Sequence, residues 1–267
     1  MKVVACIISR MKSVRLKKKA LADLNGYTMT EQIIRRLKKS KYINEIVLCT
    51  SSNPEDQILV EKAQNKWGIK AYAGHEEDVL SRLIEVSQIY NADAVLRVTG
   101  DNPFTDAQYI DLMIERHKET HADYTRTNRL PLGVTAEVMS KEMIEKLYKI
   151  IPDPNQSEYM SFFSFNPDEF RCEVLYPSES EDRPFYSLTI DHPEDLDLAR
   201  LIYSEIPSSD GIPPLNKVIE FLDNHSSYKE VAKDTPIKLP GDKTMTYENL
   251  ITMLDDLANK AKKNNER

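Results

Sequence analysis

Residues 2–19 read KVVACIISRMKSVRLKKK, an apolar run followed at once by a cationic one. The apolar part, Lys2 to Ile8, is short and rich in β-branched residues, which is typical of a buried strand. The cationic part, Ser9 to Lys19, contains six Lys or Arg residues and, like the whole of residues 1–22, no acid. An acidic chain that places so many cations after its first strand is expected to use them on a compact polyanion.

Strands and helices are predicted to alternate over the first 120 residues. Thr28 followed by Glu31 has the spacing of a capping box, and Asn53 before Pro54 predicts another helix start with Asn as the cap. Repeated alternation with continuous apolar strands predicts an α/β fold, a mostly parallel sheet flanked by helices. The predicted strands are 2–8, 45–50, 70–73 and 93–99, and the predicted helices are 28–39, one from residue 53, 77–90 and 106–120.

The alternation breaks after about residue 122, where a small extra β and helical part is expected. Asp191, two residues before Pro193, predicts the cap of a further helix. The predicted strands here are 122–128, 134–139, 170–176 and 185–190, and the predicted helices are 141–150 and 193–205. A linker is predicted at 207–213. The tail that follows, 214–267, is predicted to form a few short helices with a disordered charged end at 262–267.

The composition of the 267 residues narrows the class of protein. Forty per cent are hydrophobic and 30% charged, and no apolar run approaches the roughly 20 residues that cross a bilayer. The net charge of −7 argues against a nucleic-acid partner. The N-terminus does not have the pattern of a signal peptide, and the scattered Cys6, Cys49 and Cys172 fit buried, reduced thiols. We therefore expect a cytoplasmic protein without a nucleic-acid or membrane partner.

Loops that follow the strands are the candidate site, because ligands of such sheets bind beyond the carboxyl ends of the strands. Arg grips phosphate oxygens in a bidentate way, Lys supplies a point charge, and backbone N–H groups add donors. The segment 9–19 therefore favours phosphate binding over the alternative of a solvated cationic loop. The other loops in this position are 51–53, 74–78 and 100–105.

The cationic segment resembles the signature of the cytidylyltransferase family that includes CMP-sialic acid synthetases, CMP-Kdo synthetases and spore-coat polysaccharide cytidylyltransferases. The last group carries a run like QARMxSxRLPGK. Ile8 stands here for its Gln and Lys17–Lys18 for its Pro-Gly, while the matching residues are Arg10, Met11, Ser13, Arg15, Leu16 and Lys19. Loss of the glycine matters because glycine permits positive φ and close backbone approach.

Further segments are similar to the same family, in the same order, across residues 1–205. They are GHEEDVLSR at 74–82, RVTGDNPFTD at 97–106 and TIDHPEDL at 189–196. The resemblance implies a Rossmann-like nucleotide-diphospho-sugar transferase fold. It also implies a nucleotidyltransferase domain at 1–206, in which 122–185 serves acceptor binding or dimerisation. Residues 207–267, which the resemblance does not cover, are predicted from their own pattern to form a helical C-terminal extension.

Two carboxylates are candidate metal ligands. Asp101 follows a predicted strand and can bind Mg²⁺, which keeps waters and bridges to nucleotide phosphate, or it can stabilise the turn before Pro103. Asp191 is the second metal ligand by resemblance, and a helix cap is its alternative role. With Mg²⁺ as cofactor, the resemblance implies that the catalytic residues are Arg10, Arg15, Lys19, Asp101 and Asp191.

The remaining site residues are also implied by the resemblance. Ser52 or Asp78 could contact the base or could only cap a turn. Arg97 is a separate case: it lies in a buried strand pattern, where an arginine needs a partner, and it either pairs with an acid or faces the ligand. The nucleotide-binding set is Ile8, Ser9, Arg10, Ser13, Arg15, Lys19, Ser51, Ser52, Asp78, Arg82, Thr99 and Gly100. The acceptor-binding set is Asn128, Glu137, Glu158 and Tyr159, with an exposed strand position as the alternative for Glu137.

The function implied by the resemblance is a Mg²⁺-dependent transfer of CMP from CTP to a sugar, an acidic sugar by preference, with release of pyrophosphate, for surface polysaccharide or glycoconjugate synthesis. The partners are then CTP and the acceptor, and a homodimer is compatible with the family. Two alternatives stay open: a non-catalytic nucleotide-binding protein on the same fold, and a glycosyltransferase of related architecture. Retention of both Asp101 and Asp191 argues against the first, and a cationic loop long enough for a whole triphosphate argues against the second.

Overall fold

A computed structural model describes residues 1–13, 15–225, 228 and 230–266, apart from the side chains of 156–158 and 242. Its centre is a seven-stranded sheet in the order β5-β4-β1-β6-β8-β7-β9. The strands are β1 Val3–Ile8, β4 Ile43–Ser51, β5 Lys70–Gly74, β6 Ala94–Thr99, β7 Tyr124–Thr127, β8 Glu137–Ser140 and β9 Cys172–Leu175. Two short hairpins lie outside this sheet, β2 Asp23–Leu24 with β3 Tyr27–Thr28 and β10 Pro236–Lys238 with β11 Thr244–Thr246.

The predicted α/β class is confirmed. Strands β5, β4, β1 and β6 are mutually parallel, with Ile8 opposite both Cys49 and Thr99. Of the described sheet strands, β8 alone runs against its neighbours, because it pairs antiparallel with both β6 and β7. The carboxyl ends of β1, β4, β5 and β6 therefore meet at one edge of the sheet.

Helices cover both faces of the sheet. They are α1 Met29–Leu37, α2 Gln57–Lys62, α3 Val79–Ile89, α4 Ala107–Thr120, α5 Lys141–Ile150, α6 Met160–Ser164, α7 Pro193–Glu205, α8 Leu215–Asn224 and α9 Tyr247–Asn265. The capping box predicted at Thr28 and Glu31 is present. Asn53, by contrast, precedes a 3-10 turn and makes no side-chain cap hydrogen bond.

The alternation of side chains along β1 divides the core into two layers. Val4 and Cys6 point into one fully buried cluster, and Val3, Ala5 and Ile7 point into another on the opposite face. Such a strand, apolar on both faces, is what an interior parallel strand requires. The three cysteines are buried and free.

The prediction of a strand at 185–190 is wrong. All of these residues are described: Phe185 lies in a turn, and Ser187 forms an isolated bridge with Leu132. Tyr186, Leu188 and Ile190 are buried in a third apolar cluster with α7 and α8. The alternating pattern thus reports burial on one side correctly, but the N–H groups of Leu188 and Ile190 donate to carbonyls of loops rather than to those of a paired strand.

Two expectations about helix ends are also wrong. Asp191 is not the cap of α7: His192 takes that position, and both backbone N–H groups of residues 191 and 192 donate to Asp195 Oδ2, at 2.9 and 2.8 Å. The tail is not a set of short helices with a disordered end either. The 19-residue α9 runs to Asn265, whose side-chain amide donates to Cys172 O at 2.9 Å. Contacts of Ala258 and Ala261 with the core stabilise this last stretch.

Among the described residues, no helix has the length and apolar character needed to cross a membrane.

Candidate active site

A cavity of about 520 Å³ opens at the carboxyl edge of β1 and β6. The backbone comes close here: Gly100 N donates to Ile8 O at 2.8 Å, and a Cβ on Gly100 would lie 2.7 Å from Ser9 Cβ. Only glycine fits at that position without a shift of the neighbouring strand. The predicted site residues that line the cavity are Ile8, Ser9, Arg10, Ser13, Arg15, Lys19, Arg82, Thr99, Gly100, Asp101 and Asp191.

Lys19 lies between the two predicted metal ligands. Its ammonium nitrogen is 2.9 Å from Asp191 Oδ1 and 3.6 Å from Asp101 Oδ2. Arg15 Nη2 adds a contact to the same Asp191 oxygen at 3.1 Å. Burial by itself would raise the pKa of Asp191, but the hydrogen bonds and charges of Lys19 and Arg15 outweigh it and lower that pKa. Both carboxylates are thus held where they face a cation.

The turn before Lys19 has a glycine-like backbone although it carries lysine. Lys18 has φ 56° and ψ 30°, in the left-handed region. It stands where the family run has glycine, and it starts the 3-10 turn Lys19–Leu21 that brings the Lys19 side chain into the cavity. Lys18 therefore adopts a conformation that glycine takes without strain, although it carries a Cβ.

A buried acid fixes the start of the cationic loop. Asp56 Oδ1 accepts a hydrogen bond from Met11 N at 2.6 Å, and its other oxygen accepts one from the Ser51 hydroxyl. Asp56 is 1% exposed, so both of its carboxyl oxygens find their hydrogen-bond donors within the protein. Sequence reasoning did not single out Asp56, because an acid just after Pro54 also suits a helix start.

The opposite wall of the cavity is acidic, which sequence reasoning missed. Arg10 Nη1 lies 3.6 Å from Glu76 Oε1 and 3.5 Å from Glu77 Oε1, and Lys12 Nζ lies 3.1 Å from Glu76 Oε1. Hydrogen bonds from Asn53 and Lys12 lower the pKa of Glu76. Both acids belong to the segment GHEEDVLSR, in the loop that follows β5. The strand order β5-β4-β1 brings this loop close to the cationic loop after β1, and that order is not visible in the local sequence.

Arg97 pairs with an acid, which is one of the two alternatives predicted for it, and its side chain also lines the cavity. Its Nη1 forms a salt bridge with Glu137 and a 3.3 Å hydrogen bond with Ser161 Oγ. Glu137 is buried and also accepts from the Tyr124 hydroxyl. Burial would raise the pKa of Glu137, but Arg97 and that hydrogen bond lower it. The alternative of an exposed strand position for Glu137 is wrong.

Several predicted residues lie outside the wall of this cavity, as far as the described side chains show. Ser51 bonds Asp56, and Asp78 caps α3 and accepts from the Tyr148 hydroxyl at 3.0 Å. Asn128 donates to Asp255 of α9 at 2.8 Å. Ser52 is exposed and Tyr159 immediately precedes α6. The side chain of Glu158 falls outside the described part of the chain.

No cluster of three or more His, Cys, Asp or Glu side chains suited to a metal occurs among the described residues. The arrangement present is a pair, Asp101 and Asp191, converging on one cation. Such a pair matches the way Mg²⁺ is usually held, by one or two carboxylates plus substrate phosphates and water. The donor set therefore fits a metal that arrives with a phosphate ligand.

The fold and the cavity define a nucleotidyltransferase. Residues 4–206 match the model of the cytidylyltransferase family, and the chain belongs to that family. It is 30% identical over 223 residues to the spore coat polysaccharide biosynthesis protein SpsF of Bacillus subtilis, covering 79% of this chain and 92% of that one.

Solved structures of related proteins have the same fold. A cytidylyltransferase from Leptospira borgpetersenii matches with a TM-score of 0.76 and 27% identity, over 86% of this chain and 100% of that one. CMP:2-keto-3-deoxy-manno-octonic acid synthetase, solved with CTP, matches with a TM-score of 0.62 and 15% identity, over 77% and 99%. The second likeness concerns the fold alone.

Proposed function

We propose that the protein transfers CMP from CTP to a sugar, with an acidic sugar as the preferred class, and releases pyrophosphate in a Mg²⁺-dependent reaction. The observation that carries the proposal is the Lys19 ammonium between Asp101 and Asp191, with Arg15 on the same carboxylate. A cavity with clustered cations and two converging carboxylates can take a triphosphate and its metal together. The relationship to a spore coat polysaccharide protein supports a sugar acceptor.

The chain's own groups would act mainly by positioning and charge. Arg10, Arg15 and Lys19 would bind the β- and γ-phosphates and stabilise the charge that grows on the leaving pyrophosphate. The acceptor oxygen forms a bond to the α-phosphorus as the bond to pyrophosphate breaks, and the acceptor proton leaves to solvent. Holding both reactants in one cavity replaces an encounter in solution with an oriented reaction.

Asp101 and Asp191 would hold Mg²⁺, which supplies positive charge to the phosphate oxygens and lowers the pKa of a nearby hydroxyl. Lys19, which faces both carboxylates in the described structure, would then turn its ammonium toward the triphosphate. Because Gly100 has no Cβ, the end of β6 packs closely against Ile8 and Ser9 at the wall of the cavity.

The test is incubation of the protein with each of the four NTPs, Mg²⁺ and a panel of sugar acids, sugar phosphates and neutral sugars, while pyrophosphate is measured. Pyrophosphate and a CMP-linked product, formed with CTP and lost with EDTA, are expected. CTP binding without pyrophosphate for any acceptor would favour the non-catalytic alternative. Transfer of a sugar from a nucleotide sugar, with release of the nucleotide, would identify a glycosyltransferase instead.

A further inference from the structure

A second cavity, of about 290 Å³, lies between α6, the β10–β11 hairpin and α9. Its wall is largely apolar: Phe162 comes from α6 and Phe165 directly follows that helix, Met245 comes from the hairpin, and Met253 and Leu257 come from α9. Phe165 is itself fixed, because it stacks on Tyr124 with ring centroids 5.8 Å apart. We call this the apolar cavity. Since a water takes about 30 Å³ in the liquid and protein interiors rarely leave larger voids, its size is that of a ligand subsite.

The apolar cavity adjoins the candidate active site through one hydrogen-bonded pair. Ser161 lines the apolar cavity, Arg97 lines the active-site cavity, and Arg97 Nη1 donates to Ser161 Oγ at 3.3 Å. The charge of Arg97 is compensated by the buried Glu137. The Arg97–Ser161 pair that separates the two cavities is therefore polar but carries little net charge. The N–H and O–H groups of this pair can also bind the polar part of a molecule that extends from one cavity into the other.

Much of the apolar wall comes from residues outside the family match. That match ends at residue 206, while the hairpin and α9 contribute lining residues from 239 to 257. Asp255 of α9 holds this wall in place, since it accepts from Asn128 at 2.8 Å and from Arg129 Nη1 at 3.1 Å. This wall thus lies outside the part of the chain that the family model covers, and it stands beside the site where an acceptor would lie.

We propose that the apolar cavity receives an apolar substituent, an acyl or alkyl group, of the acceptor whose reactive hydroxyl lies in the active-site cavity. This proposal rests on the proposed function and names a feature of the acceptor class. Met245 and Met253 suit the role, because methionine adapts its shape to flexible apolar groups. The polar end of the same molecule accepts hydrogen bonds at Arg97 and Ser161.

The experiment uses the full-length protein and a probe series, N-acetyl-, N-butanoyl-, N-hexanoyl- and N-octanoylglycine, each with one carboxylate and one acyl chain. Binding is measured by calorimetric titration, with CTP binding measured on the same samples. Each buried methylene is expected to tighten binding about fourfold until the cavity is full. Met253→Trp and Met245→Trp, which fill the cavity from two different elements, should each flatten this dependence on chain length.

Thr252→Trp is the matched control, because Thr252 is exposed on the same helix and its hydroxyl bonds only the backbone of its own helix as far as the described contacts show. It should keep the parent's dependence. A parent affinity that does not change with chain length, or a parent-like dependence on chain length in both Met253→Trp and Met245→Trp, would overturn the proposal. CTP binding separates the two claims: normal CTP affinity with a flat series refutes the subsite alone, whereas failure to bind CTP refutes the proposed function.

Discussion

Lys19 is the residue on which the site's electrostatics converge. It faces Asp101 and Asp191 at once, and its side chain is only 16% exposed. At partly exposed sites the loss of one charge-assisted contact costs about 1.5–3 kcal/mol, or roughly ten- to a hundredfold in affinity. The contribution of Lys19 should appear only with ligands that carry the outer phosphates.

Lys19→Ala is therefore expected to weaken CTP and UTP binding about equally, by roughly ten- to a hundredfold, and to affect CMP much less. Titration of the three nucleotides at one salt concentration checks this. Lys17→Ala is the control, because Lys17 is exposed and outside the described cavity wall. An equal loss for CMP and CTP would place Lys19 near the α-phosphate or the nucleoside.

The backbone conformation of Lys18 leads to a prediction about the stability of the protein rather than about ligand binding. Its φ of 56° is costly for a residue with a Cβ, so Lys18→Gly should raise the free energy of unfolding by up to about 1 kcal/mol, a rise of about 2–4 °C in Tm. Lys17→Gly should do the opposite, because Lys17 is not among the positive-φ residues and gains only flexibility. Thermal unfolding of both variants tests this prediction. A change in Tm of the same sign for both variants would contradict the strained backbone conformation assigned to Lys18.

Removal of the negative charge of Asp101 or Asp191 by substitution is expected to lower turnover sharply. Asp101→Asn keeps the shape of the side chain and removes its charge, and should lower pyrophosphate release roughly 10²-fold while the fold is kept. Asp93→Asn, at the other end of the same strand, serves as the control. Undiminished activity of Asp101→Asn at limiting Mg²⁺ would remove this residue from the metal site.

At the scale of elements, α4 and β7 meet through a buried histidine. His117 Nδ1 lies 2.9 Å from Thr125 Oγ1, and burial lowers the pKa of His117 to about 4. An unfolded chain binds this proton near pH 6.5, so between these two values the unfolded state holds more protons and the native state loses stability as pH falls.

Replacing this histidine should therefore flatten the pH dependence of stability. Between pH 7 and 4.5 the parent should lose about 2–3 kcal/mol more than His117→Gln. Urea unfolding at several pH values measures the difference between the two proteins, in which the effects of the carboxylates cancel. Parallel curves would show that His117 is protonated as easily in the native state as in the unfolded one.

Elements were predictable where local pattern and burial agree. β1 is apolar on both faces, and the Thr28 and Glu31 box fixes the start of α1, so both were read correctly. Residues 185–190 show the limit: their alternation reflects real burial, but strand pairing depends on a partner that is distant in sequence. The same reason hid Glu76 and Glu77, which reach Arg10 only through the strand order of the sheet.

At the scale of the whole molecule, residues beyond 206 are joined to the rest by both packing and charge. Ala258 and Ala261 belong to the buried cluster that contains Val4 and Cys6 of β1. Asp255 of α9 accepts hydrogen bonds from Asn128 and Arg129. The acceptor role inferred for Asn128 from sequence thus competes with a structural one, which no local pattern could show. The cationic loop, by contrast, carried its own signal in composition and position.

A chain that ends at residue 246 is expected to lose this support. It would expose apolar surface of the core cluster that α9 covers, and should show a lower Tm and a tendency to aggregate. A chain ending at residue 265 is the control, since it keeps all of α9. Equal thermal stability of the two chains would mean that α9 contributes little to the fold.

The position of Lys19 also bears on the order in which ligands arrive. A free divalent ion must compete with an ammonium that already lies against both Asp101 and Asp191. A nucleotide brings anionic phosphate oxygens, and these can attract the Lys19 ammonium away from the two carboxylates. The metal should therefore bind together with the nucleotide, and the steady-state rate law should contain the metal–nucleotide complex as the substrate. Free Mg²⁺ should then bind weakly to the parent and more tightly to Lys19→Ala, in which the Lys19 ammonium no longer faces the two carboxylates and Arg15 remains on Asp191.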